Sequence, residues 1–170
     1  MTDGTTQQAR CTASRACRVA ILAIYWMTTT MTAQADTSAE LPSSVLSLQS
    51  KYDFQTTVSR LKAALIAHNV TLFAEIDQSA AAVDAGLALR PTRLFLFGNP
   101  KAGTPVMEAN PHAALELPLK TVIWEDGQHV VHMDYQDVTA TLGRDYKVDP
   151  QLYAPLKQTP ALLRAVAGQD

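Results

Sequence analysis

The chain has 170 residues, 47% hydrophobic and 18% charged, with 14 Lys and Arg set against 16 Asp and Glu for a formal net charge of −2. No basic run interrupts this balance, so the clustered cations with which proteins hold nucleic acid or an anionic bilayer are lacking, and neither partner is expected. A chain of this length can bury roughly two-thirds of its unfolded surface as one domain.

Arg10, Arg15 and Arg18 lead into an uncharged apolar run from Val19 to Met27, then polar threonines and the small-x-small site Ala33-Gln34-Ala35. That order is the pattern of a secretory signal peptide, with cleavage expected after residue 35. The apolar run is too short to cross a ~30 Å hydrocarbon layer as a helix; an uncleaved anchor is the competing reading. Export would make the mature protein periplasmic or secreted, with no stable membrane insertion. Cys11 and Cys17 leave with the signal, so no disulfide or thiolate-held metal is expected and the fold rests on its core alone. The signal holds three of the basic residues and one of the acidic ones, which takes the mature net charge to −4.

Residues 36–44 are small and polar, a flexible leader, and residues 45–170 read as a single domain. Val45 to Ser50 fits an edge strand. Asp53 then stands as N-cap before Phe54, Val58, Leu61 and Leu65, the apolar stripe of a helix that ends near Asn69, with Arg60 and Lys62 turned to water. Val70 to Asp77 alternates, with Leu72, Ala74 and Ile76 on one face and Phe73, Glu75 and Asp77 on the other. Gln78 to Ala85 is a short alanine-rich helix closed by Gly86. Leu94 to Phe97 is apolar on both faces, which predicts a central strand with a layer above and below. Thr104-Pro105 is an N-cap followed by a first-turn proline, so the next helix is expected to start there. Leu119–Glu125 and Gln128–Tyr135, joined at Asp126-Gly127, make a hairpin with Val131, Met133 and Tyr135 facing inwards. Asp137–Leu142, stopped by Gly143, and Pro160–Ala167, capped by Thr159 and stopped by Gly168, are the last helices. The order β-α-β-α-β-α-β-β-α-α predicts an α+β two-layer domain, a mixed sheet with a hairpin in its C-terminal half and helices packed on it.

Tyr52-Asp53-Phe54, Arg60-Leu61-Lys62, Phe73-Ala74-Glu75-Ile76-Asp77, Arg90-Pro91-Thr92, Leu117-Pro118-Leu119-Lys120 and above all Gly98-Asn99-Pro100-Lys101-Ala102-Gly103-Thr104-Pro105 resemble the family named "domain of unknown function 302". The resemblance runs from about Val45 to the C-terminus. It implies a compact α+β unit that commonly pairs as a homodimer, and it implies no activity. One departure stands out: after Ile76-Asp77 the family typically has histidine, and this chain has Gln78. Glutamine neither titrates near neutral pH nor competes with imidazole as a metal ligand, so a metal or acid-base role at that position is not expected.

Four groups of residues carry candidate chemistry. Gly98, Asn99 and Gly103 can aim backbone N–H groups at a small anion, with Lys101 adding charge, or they form a plain strand-to-helix turn. Arg90 and Arg93 suit a carboxylate ligand, although pairing with Glu75 and Asp77 across neighbouring strands is the simpler use. Glu75 and Asp77 point to one face, where paired carboxylates serve acid-base catalysis or a hard cation, or are merely solvated or arginine-paired. His129 and His132 lie three apart on an expected strand, too far out of phase to share one metal. No metal or cofactor is therefore expected. Gly-x-Ser-x-Gly and the dinucleotide-binding glycine pattern are both absent. Two functions remain open: an exported module that binds a small anion or another protein, and a small enzyme using Glu75 or Asp77 as general base with Lys101 or Arg93 stabilising negative charge.

Overall fold

A computed structural model describes residues 42–169; the predicted signal peptide, and the predicted leader up to residue 41, lie outside them. The described elements are β1 (Val45–Gln49), α1 (Phe54–Ala67), β2 (Thr71–Asp77), α2 (Gln78–Asp84), β3 (Thr92–Gly98), α3 (Pro100–Ala109), β4 (Leu119–Glu125), β5 (Val131–Gln136), α4 (Val138–Arg144) and α5 (Thr159–Ala167), with 3-10 turns at Pro111–Leu115 and Ala154–Gln158. Order and fold class are those expected, an α+β arrangement around one sheet.

The sheet runs β1-β5-β4-β3-β2 with every neighbouring pair antiparallel, so the expected mixed sheet is corrected. Between β2 and β3 the chain makes only the seven-residue α2, which buries no residue against the sheet as a crossover helix would, and it re-enters beside the strand it just left.

Strand alternation places the core on one face. Leu48, Phe95, Phe97, Leu119, Thr121, Ile123, Val131, Met133 and Tyr135 are all buried, whereas Leu94, Leu96, Val122 and Trp124 between them stay half-exposed. Phe54, Val58, Leu61 and Leu65 of α1 and Leu163 and Val166 of α5 fill the buried face. The central position of β3 is as expected, with β2 and β4 beside it, but the second covering layer is not among the described residues. Along β2 a register shift falls between Leu72 and Ala74. It puts Leu72 beside Phe97 on the core face and Ala74 and Ile76 on the open one, so the three do not share a face.

Three local corrections bear on the site. Helix α3 starts at Pro100, capped by Asn99, and Pro105 lies inside it. Gly143 lies inside α4 rather than after it, and α5 starts without a side-chain cap. Arg60 and Lys62 do not simply face water. Arg60 donates to the carbonyls of Val166 and Ala165, both at 2.9 Å, holding the end of α5 against α1, and Lys62 pairs with Glu75.

Candidate functional site

At the start of β3 the arginine and the carboxylates meet as the simpler reading expects. Arg93 donates Nη1 to Glu75 at 2.9 Å and Nη2 to Asp77 at 2.5 Å, and Lys62 reaches the other oxygen of Glu75 at 2.5 Å. Antiparallel pairing of Asp77 with Arg93 is what aligns them. Asp77 also caps α2, accepting from the Ala80 N–H at 2.9 Å and the Ser79 hydroxyl at 2.7 Å. Those two donors, and then Arg93, hold its pKa down to about 2. A carboxylate so held is a weak base near neutrality. Arg90 is exposed and turns to the hairpin, its Nη2 3.7 Å from where a Cβ on Gly127 would sit.

Gly98, Asn99, Lys101 and Gly103 lie at the other end of β3, about 17 Å from Arg93 by strand rise. The predicted residues therefore form two groups, not one. At this second group the helix-start donors are already engaged. Pro100 has no N–H, Lys101 donates to Asn99 Oδ1 at 2.9 Å, and the N–H groups of Ala102 and Gly103 both reach the Asn99 carbonyl at 2.9 Å. Lys101 itself is exposed. What does open here is a cavity of about 230 Å³ with an apolar wall, bounded by Gly98, Asn99, Gly103, Phe73, Met107 and Leu117 among others.

A third group was not anticipated. On the open face of the sheet Trp124 stacks on His132 with centroids 4.5 Å apart, and its indole N–H donates to Asp134 at 2.7 Å. His132 also contacts Asp126 at 2.9 Å. The other Asp134 oxygen is buried and has no hydrogen-bond partner. The pairing of Trp124 with His132 follows from the hairpin register, whereas the strand alternation predicts only the inward set Val131, Met133 and Tyr135. His129 sits in the turn with φ 62°, off the strand. Among the described residues no three His, Cys, Asp or Glu side chains converge as a metal site.

A family model described as "Domain of unknown function DUF302" matches residues 46–167. "Fluoride-specific ion channel FluC 1" of Brucella suis biovar 1 (strain 1330) is 33% identical over 97 residues, covering 57% of this chain and 38% of that protein. "Fluoride-specific ion channel FluC 2" of Brucella melitensis biotype 1 is also 33% identical over 97 residues, 36% of its length. The chain thus spans well under half of the curated relatives it matches. The crystal structure of an uncharacterized conserved DUF302 protein from Bacillus stearothermophilus superposes with a TM-score of 0.62 at 17% identity, over 75% of this chain and 98% of that one. At that identity the likeness is one of fold.

Proposed function

The chain belongs to the DUF302 family, a domain of unknown function, and from that premise we propose that it is a binding and assembly module that pairs with a second copy of itself across the open face of its sheet. The observation that carries this reading is the half-exposed apolar set on that face. Leu94, Leu96, Val122 and Trp124 are intermediate in exposure and Ile76 is 44% exposed, with no described helix over them. Ile76, Leu94 and Val122 sit side by side across β2, β3 and β4, an apolar strip bordered by Lys120 and Asp134, and an exposed apolar strip is a common mark of an interaction site. A twofold pair would bury the same strip from both copies at once.

Glu75 and Asp77 are poorly placed for catalysis, since both carboxylates bond Arg93 and Lys101 stands at the far end of the strand. The start of α3 is poorly placed to hold a small anion, since its first-turn donors are used internally. The Brucella relatives carry their likeness to this chain within longer proteins named as fluoride-specific ion channels. Among the described residues no helix is long and apolar enough to cross a membrane. Pairing, rather than conduction, is the property such a module would bring to a longer chain. The N-terminal pattern supports a site of action outside the cytoplasm. Sedimentation equilibrium of residues 36–170 tests the pairing: twice the chain mass is expected, and a monomer at every concentration would overturn it.

A further inference from the structure

Among the described residues three glycines, Gly98, Gly103 and Gly127, are explained by neither backbone conformation nor space, and Gly127 lies in the turn of the β4–β5 hairpin. Gly86 and Gly168 have φ of 76° and 78°, and a Cβ on Gly143 would lie 2.7 Å from the Tyr153 hydroxyl. Gly98 and Gly103 have neither constraint. A Cβ on Gly98 would meet Phe73 at 3.6 Å and one on Gly103 would meet Leu117 at 3.6 Å, both ordinary contacts. Gly103 moreover sits inside α3, where glycine is less stable than alanine. What both residues do is line the same apolar cavity, whose space a methyl group would take.

Beside it lies a larger cavity of about 680 Å³, and Gly98, Asn99, Leu119 and Leu156 line both. The small chamber, with Phe73, Met107, Leu117 and Pro118, carries no charged side chain. An apolar cavity of about 150 Å³ is already enough for benzene, so 230 Å³ takes a ring or a short alkyl chain. The larger cavity is lined in part by His68, Lys157, Gln158 and Thr159, with the Lys157 ammonium 5.8 Å from the centre of the Tyr153 ring. In a chain with more acidic than basic residues, neither chamber is lined by a carboxylate, and the titratable side chains present are a lysine and a histidine.

We propose that these two neighbouring cavities together bind a small amphipathic monocarboxylate, its apolar body on the Gly98–Gly103 floor and its carboxylate towards Lys157. Burying the apolar body supplies the attraction and the Lys157 cation fixes the orientation. The glycines are then specificity residues that set the depth of the floor.

Octanoate titrated into residues 36–170 by calorimetry, beside octanol and inorganic phosphate, tests this. Saturable octanoate binding is expected, with phosphate inert. Gly103→Ala should weaken octanoate by roughly tenfold or more, the scale of one methylene in an apolar pocket, while its melting temperature stays level or rises. Lys157→Met should weaken octanoate and leave octanol unchanged. Absence of octanoate binding, equal binding by wild type and Gly103→Ala, or binding lost only together with the melting temperature would overturn the proposal. So would a Gly103→Ala variant whose single change is weaker self-association, since the cavity would then hold a partner side chain. The pairing of two copies is read separately, by mass, and either result can stand without the other.

Discussion

Asp77 does three jobs at one position: it ends β2, caps α2 and bonds Arg93. Its pKa is lowered from 3.8 to about 2, so the stability it contributes is present above about pH 4 and is lost as pH falls through 2. Asp77→Asn keeps a capping acceptor but removes the titration. Urea midpoints of the variant should fall less than those of wild type between pH 4 and pH 2, and superimposable profiles would refute the assignment. The effect is modest, since a third of the side chain is solvated. Phe95, fully buried, is the opposite case: Phe95→Ala should cost about 3–5 kcal/mol and leave little native protein. Lys101→Ala should change stability by less than about 0.5 kcal/mol, because the side chain is exposed. Thermal melts of the two variants decide both. Residue pairing was legible in advance for Arg93 with Glu75 and Asp77, because strand alternation puts them on one face. Arg60 was not legible: its partners are carbonyls of residues 165 and 166, more than a hundred positions away, and no local pattern announces them.

A single cap signal placed α1 correctly, failed as a cap at Thr159 of α5, and was ambiguous at α3, where two competed. Asp53 begins α1 as expected, its carboxylate accepting from Thr56 at 2.8 Å. Around α3 both Asn99-Pro100 and Thr104-Pro105 have the form of a cap followed by proline. The earlier pair wins, and Pro105 is accommodated although it leaves the Lys101 carbonyl without a helical donor. Lys101 is exposed, so water can take that carbonyl. In β2 the alternation was clear, but one extra residue in the register moved Ala74 and Ile76 to the other face, and a bulge has no signature at a Phe-Ala step. Gly143 makes a test at this scale. A helical Gly→Ala change ordinarily stabilises by up to about 1 kcal/mol, yet here the added carbon would collide with Tyr153. Gly143→Ala should therefore lower the melting temperature; a rise would mean that α4 and the Tyr153 segment pack more loosely than described.

At the scale of the whole molecule, the second apolar face of β3 is covered by no helix among the described residues. A strand reading Leu-Phe-Leu-Phe predicts two covering layers, and the described helices supply one. That outcome was not legible, because a sequence pattern shows that a face is apolar but not what covers it. The export proposed from the N-terminal pattern is tested at this scale too. N-terminal sequencing of mature protein should begin at Asp36, and an intact Met1 would put the chain on the membrane or in the cytosol. Pairing across the open face is the central claim, and substituting on that face tests it most directly. Leu94→Lys places a charge on the half-exposed face opposite the core; Ile66→Lys, on a residue of α1 that is 77% exposed, is the control. Sedimentation equilibrium of wild type and both variants, alongside their circular dichroism, should give a dimer for wild type and for Ile66→Lys and a folded monomer for Leu94→Lys. A wild-type monomer, or a Leu94→Lys protein that remains dimeric, would contradict it.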